Sequence, residues 1–508
     1  MNKELMYNFI NKWYGQVLLS LLSALLLILS TAGFGLSFTV FFAFIPLFFA
    51  LKANNKHSVL LGIITGFTYF AVCLSWMMIT FGYFGGAPVY AAFFLLVFIS
   101  FLGSLFFFVP LTFVAGKYSS NPYIIALLFV LLEAVKGTVF FGGVPWLNLA
   151  QSQYSNTLII QSVSVFGEYG LSFIIMLINI FSFNIINDYK NKKNIILLAA
   201  AIFVMILPGI YRAVNPIEYS DYKKIAVIQS GYQQEDKWNQ NKWLFIINNI
   251  NMQVVGASNI EDIDMIVLPE SSYPAKVLST DIIMNVLNKV SEKTPIIFGA
   301  DRRLMIDNES KLFNTMVLLD NRTQSYYDKR HLTPFGEYFP FENLLRPVKE
   351  FFFGKGSMFS PGNNASVLLS NNGIKAAPVI CFESAFSNLV RDSILLGANI
   401  LVVISNDTWF GKNQGRIQHL AVDTIRAVEY GRSMARATQD GISAFIMPNG
   451  KIVLKEDKQI PATLVYEMPV SDFKTFFSIF GNIWIAFIIP LIYYQIRQSK
   501  LKEKKSDG

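Results

Sequence analysis

Two cysteines, Cys73 and Cys381, occur among 508 residues. That is too few for a disulfide framework or a Cys cluster that holds a metal. Cys381 ends the apolar run APVIC, with an acidic residue two positions on. A helix is predicted over 384–398. A strand-to-helix turn exposes a sulfur, and a helix N-terminus favours the thiolate, so the placement suits a nucleophile. The plainer reading of a lone Cys is a small buried hydrophobe. Glu270 ends the run IVLPE, and Lys329 lies in YYDKRHLTPFGEYFP just after a predicted strand. A carboxylate beside a thiol can take its proton. An ammonium nearby favours the thiolate and stabilises an oxyanion. Singly, such a Glu is usually solvated and such a Lys usually lies on the surface.

These residues need elements to bring them together. Strands are expected at 224–229, 263–268, 295–300, 313–319, 376–381, 399–405 and 442–447, with a long helix at 417–437. Asn449-Gly450 reads as a hairpin turn between ISAFIM and KIVL. Strands alternating with helices over 220–470 predict one α/β domain. Strand ends in such sheets converge on one edge, and Glu270, Lys329 and Cys381 all lie at strand ends. No internal repeat is evident.

Hydrophobic residues make up 53% of the chain and charged residues 15%, which indicates a membrane protein rather than one soluble globule. Apolar runs fall at 17–35, 37–52, 58–80, 89–115, 123–141, 168–187 and 195–212, with a last one at 474–496. Each is near the roughly 20 residues that a bilayer requires. Lys52, Lys56, Lys117 and the Lys190–Lys193 cluster follow even-numbered runs, and no Lys or Arg lies near 30–38 or 81–88. The positive-inside bias therefore places residues 213–472 outside the cytoplasm and both termini inside. The organisation expected is a membrane domain of about seven helices (1–212), an extracytoplasmic domain (220–470), a terminal span (474–496) and a basic tail (497–508). The net charge of +8 gathers beside the apolar runs and in the tail, which argues against a nucleic-acid face.

IVLPESSYP, KRHLTPFGEYFP and CFES resemble the Glu, Lys and Cys motifs of the nitrilase, or carbon–nitrogen hydrolase, superfamily. With the flanking spans, the resemblance narrows to the apolipoprotein N-acyltransferase family. NDTWFG, QHL and RAVEYGR also resemble it. The resemblance implies an α-β-β-α sandwich outside the membrane of a bacterial inner membrane. It implies Glu270 as general base, Lys329 as oxyanion and thiolate stabiliser, and Cys381 as nucleophile. It also implies Glu337 as a supporting carboxylate, the Phe382 N–H as a second oxyanion donor, Glu383 as a required acid, and Trp238 near the acyl chain or lid. The expected reaction moves an acyl chain from a phospholipid through a Cys thioester to a diacylglyceryl-apolipoprotein, without a cofactor. Phe382 stands where relatives often carry Tyr, so any role of that hydroxyl is absent. The alternatives are a membrane-anchored amidase with water as acceptor, and a transporter or receptor with a vestigial site.

Other residues invite plainer readings. Cys73 is expected to pack inside a span, and Glu133 and Lys136 to neutralise each other on one helix. His331 is expected to hydrogen-bond within its loop, and no Cys/His spacing suggests zinc. Phe351, Phe352 and Phe353 form an apolar triplet between the Lys and Cys motifs and are expected to meet lipid or cap an acyl chain.

Overall fold

A computed structural model describes residues 9–118, 121–219, 221–274, 276–341 and 358–506. The chain divides into two compact units. One comprises Met1–Asn215, Asn413–Ala421 and Phe480–Gly508; the other comprises Pro216–Lys412 and Val422–Ile479.

The first unit is helical. Among the described residues, five segments are long and apolar enough to cross a membrane: Trp13–Ser30, Asn55–Cys73, Val89–Lys117, Ile160–Asn187 and Lys192–Val214. Two expected runs form shorter helices, Ile45–Ala53 and Pro122–Lys136. The run at 474–496 is not one helix: Phe476–Phe480, a turn at 481–482 and a 3-10 stretch precede the helix Ile488–Ser506. Phe94, Phe98, Ile196 and Phe203 are exposed on the spanning helices, which suits a hydrocarbon surrounding. Cys73 is buried, with its thiol 3.6 Å from the Thr31 hydroxyl, in keeping with a packing role. Among the described residues no ion pair joins Glu133 to Lys136. Glu133 accepts the Leu149 N–H at 2.8 Å, and Lys136 donates to the Trp146 carbonyl at 2.7 Å. Both side chains also bond backbone groups of the segment that follows their helix, beside the electrostatic pairing expected of them.

The second unit contains two six-stranded sheets. The strands are β1 (Asp221–Gln229), β2 (Met265–Val267), β3 (Ile296–Ile306), β4 (Glu309–Asp320), β5 (Thr323–Asp328), β6 (Leu368–Leu369), β7 (Lys375–Ile380), β8 (Ile400–Ser405), β9 (Met434–Thr438), β10 (Ser443–Ile446), β11 (Ile452–Glu456) and β12 (Ala462–Val470). The sheets run β12-β1-β2-β3-β4-β5 and β11-β10-β9-β8-β7-β6. In each, the central pairs (β1–β2–β3 and β7–β8–β9) are parallel and the outer pairs antiparallel.

Alternation along each strand explains the layers. Ile225, Val227, Met265, Val267 and Ile297 point to one face and pack with Ile380, Val402, Ile404 and Phe445 of the other sheet. Their neighbours Ala226, Ile228, Ile266 and Phe298 point the other way, onto Ile246, Ile250 and Val254 of the helix Trp243–Ser258 and Leu287 of the helix Asp281–Ser291. Both faces are dry, so the strands read as continuous apolar runs. Each buried side chain of this size contributes about 1.5–3 kcal/mol. The result is the expected α-β-β-α sandwich.

One expected element is corrected. The helix predicted over 417–437 ends at Tyr430, and 434–438 form β9. Gly431 adopts φ +60°, a left-handed conformation that terminates a helix cheaply only in glycine. The hairpin at Asn449-Gly450 is present, joining β10 to β11.

Candidate active site

Glu270 follows β2, Lys329 follows β5 and Cys381 follows β7, so the three sequence candidates converge in the second unit. Glu270 lies in a tight place. A Cβ on Gly299 of the neighbouring β3 would stand 2.8 Å from the Glu270 Cα, so only glycine lets the strand pass. Glu270 Oε2 accepts the Asn406 N–H at 2.8 Å, and Oε1 accepts Asn314 Nδ2 at 2.7 Å. The same Asn314 amide donates to Glu337 Oε1 at 2.7 Å.

Lys329 is 1% exposed. Its Nζ lies 2.7 Å from Glu337 Oε2 and 3.8 Å from Glu270 Oε1. Glu337 Oε2 also accepts the Thr333 N–H at 2.7 Å, which closes the Lys loop on itself. Lys329 is thus paired chiefly with Glu337, while Glu270 shares its field.

Cys381 opens a 3-10 turn, Cys381–Ala385, at φ +52°, a left-handed conformation that is uncommon for a side-chain-bearing residue. Strain of this kind persists only where the surroundings over-determine it. Glu383 does so: its Oε2 accepts the Ile380 N–H at 2.9 Å, and its Oε1 accepts the Tyr327 hydroxyl at 2.8 Å, the Arg330 N–H at 2.7 Å and the His331 N–H at 3.2 Å. One carboxylate therefore joins the Cys turn to the Lys loop. Phe382 packs edge-on against Phe386, with centroids 5.2 Å apart, and His331 stacks on Phe386 at 3.7 Å.

Burial raises the proton affinity of Glu270, against the pull of Lys329. Burial alone would lower Lys329, but Glu337, Glu270 and Cys381 hold it well above its usual range. Burial would likewise raise Glu337, but the Lys329 ammonium keeps it below the ordinary carboxylate value. The Cys381 thiol is pushed up by burial and by Glu270, against Lys329. The Lys329–Glu337 pair is thus favoured in its charged form, while burial favours the protonated form of Glu270. The arrangement can pass a proton between sulfur and carboxylate beside a fixed cation.

Trp238 ends the short helix Gln234–Trp238; the role expected of its ring falls outside the described side chains. Phe351, Phe352 and Phe353 lie outside the described residues. Sequence reasoning missed Asn314. An amide within the apolar strand segment FNTMVLL was the available signal. It also missed the buried Lys237, whose ammonium donates to the Ser271 carbonyl and Gln439 Oε1 and whose pKa burial lowers to about 7.

Residues 224–476 match the family model for carbon-nitrogen hydrolases. The α-β-β-α sandwich, with a Glu, a Lys and a Cys at its strand ends, defines that class of protein. The carbon-nitrogen hydrolase from Helicobacter pylori shares 15% identity over 49% of this chain and 89% of its own, with a TM-score of 0.38. A nitrilase-superfamily member from Saccharomyces cerevisiae shares 18% over 52% and 95%, with a TM-score of 0.37. Residues 23–181 match the model of the apolipoprotein N-acyltransferase N-terminal domain. The apolipoprotein N-acyltransferase of Haemophilus ducreyi is 30% identical over 84% of this chain and 84% of its own. That of Haemophilus influenzae is 28% identical over 93% and 92%. The chain belongs to the apolipoprotein N-acyltransferase family.

Proposed function

We propose that this protein is a multi-pass enzyme of the bacterial inner membrane, with the α/β unit facing the periplasm. It moves an acyl chain from a glycerophospholipid to the α-amine of an S-diacylglyceryl-cysteine at a lipoprotein N-terminus. The observation that carries the reading is the joining, in one chain of this family, of a multi-span helical region to a site where Glu270 and Lys329 are buried and Cys381 is half-buried.

In this reading Glu270 takes the Cys381 proton as the sulfur attacks the ester carbonyl. Lys329 and the Phe382 N–H face the oxyanion of the tetrahedral intermediate. Collapse breaks the ester C–O bond, and Glu270 returns the proton to the departing lysophospholipid oxygen. The thioester then meets the amine, whose attack forms the amide and releases the thiol. Glu337 and Asn314 keep Lys329 and Glu270 in register, and Glu383 holds the Cys turn.

The test uses the full chain in detergent with phospholipid labelled in its acyl chains. The expected result is a thioester on Cys381 that a diacylglyceryl-cysteine peptide discharges as an amide. Label released only as free fatty acid would identify water as the acceptor and a hydrolase instead. Absence of any acyl-enzyme, with transfer intact in Cys381→Ala, would overturn the reading.

A further inference from the structure

Beneath the site runs a buried polar chain that the mechanism above does not use. Ser405 ends β8, and its hydroxyl donates to Asp407 Oδ1 at 2.6 Å. β7 and β8 run parallel with Ile380 opposite Ile404, so Ser405 follows the last β8 position paired with β7, as Cys381 follows the last of β7, and the Ser405 hydroxyl favours the charged form of the neighbouring Cys381 sulfur. Asp407 Oδ2 accepts Arg436 Nη2 at 2.8 Å, and Arg436 donates further to Asp423 and to the Ile442 carbonyl. Ser405, Asp407, Asp423 and Arg436 are all 0% exposed. Ion pairs this dry are costly to desolvate and are no surface accident. Between Ser405 and Asp407, the Asn406 N–H holds Glu270. Two consecutive residues, Ser405 and Asn406, thus serve the thiol and the base, and the third, Asp407, holds Ser405.

We propose that Ser405 is a fourth catalytic residue, a hydroxyl that turns its proton from Asp407 to the Cys381 sulfur as the thiolate forms, with Asp407 and Arg436 as positioning residues that set its resting direction. The proposal rests on the reading of Cys381 as nucleophile. A hydroxyl has one proton to give and lone pairs to receive. In the resting enzyme the Asp407 carboxylate takes that proton, and the Ser405 oxygen faces the sulfhydryl as acceptor. Once Glu270 holds the thiol proton, the sulfur anion competes for the hydroxyl. Asp407 can release it because Arg436 continues to satisfy the carboxylate. The charges facing the sulfur are Glu270, Lys329 and Asp407; those behind Asp407 are Arg436 and Asp423. Glu270 and Asp407 favour the thiol, and Lys329 and the turned hydroxyl favour the thiolate.

The test follows carbamidomethylation of Cys381 by iodoacetamide across pH, in the full detergent-solubilised chain, by mass of the Cys381 peptide. Ser405→Ala should move the midpoint upward and slow alkylation at neutral pH by about tenfold, the effect of one hydrogen bond to an ion. It should lower kcat of acyl transfer while the phospholipid KM holds. Ser405→Thr, which keeps the hydroxyl, should retain the wild-type midpoint. Asp407→Asn removes a negative charge and frees the hydroxyl, so its midpoint should move down. A Ser405→Ala profile that superimposes on wild type overturns the proposal, as does a shift of the same sign in Asp407→Asn. If Asp407→Asn does not fold, the two Ser405 variants decide alone. Transfer surviving in Cys381→Ala would instead remove the nucleophile reading on which the proposal stands.

Discussion

At the scale of single residues, the Lys329–Glu337 ion pair stands beside Glu270. Cys381→Ala, Glu270→Gln and Lys329→Ala should each lower acyl transfer by at least ~100-fold in a detergent assay with labelled phospholipid. Near-normal transfer in any one would remove that residue from the mechanism. Asn314→Ala is a sharper probe, because its amide is shared by Glu270 and Glu337. Each buried carboxylate oxygen left short of a donor costs about 1–3 kcal/mol, so transfer should fall by roughly tenfold or more. The three candidates were legible in the sequence because a lone thiol, a Glu and a Lys each sat at a strand end within long motifs. Asn314 and Ser405 were not legible, since an amide or a hydroxyl in a strand has no spacing that sets it apart. Only the fold brings them within 3 Å of a charge.

At the scale of elements, Glu383 joins the Cys turn to the Lys loop through four donors. Glu383→Gln keeps the volume but turns an N–H group toward donors. It should lower the melting temperature and cut transfer at least ~10-fold. Wild-type values for both would leave the turn without its assigned support. His331 adds a pH dependence. Burial and then Lys329 lower its pKa from 6.5 to about 4. Between these values the unfolded chain binds a proton that the folded chain refuses, so stability falls as pH drops through this window. His331→Phe keeps a ring against Phe386, and its melting temperature should fall less than wild type between pH 7 and pH 5. An equal fall would assign the acid sensitivity elsewhere. Most strands were legible because both faces are apolar. β9 was read as helix because RSMARA carries the spacing of a helix face. The arginines there are instead buried and partnered by other elements: Arg436 of β9 meets Asp407 after β8 and Asp423 on the helix Gly415–Tyr430, and Arg432, just before β9, meets the Phe473 carbonyl. Tertiary pairing overrides local pattern there.

At the scale of the whole molecule, the charge bias of the sequence predicts that the α/β unit lies across the membrane from the Lys190–Lys193 cluster. Reporter fusions after residues 192 and 230 should report opposite compartments; the same compartment for both would sink that topology. The arrangement of the two sheets was not legible, since pairing order leaves no mark on a single strand. It has a consequence for biosynthesis. β1, the first strand made, takes its antiparallel neighbour from β12, the last, along the whole of Asp221–Gln229. A chain made in order must therefore carry β1 with one bare edge until residues 462–470 arrive. Bare edges recruit other strands. A ribosome stalled after β11, or a frameshift that removes β12, would release a product with Glu270, Lys329 and Cys381 present and an open β1 edge inviting self-association.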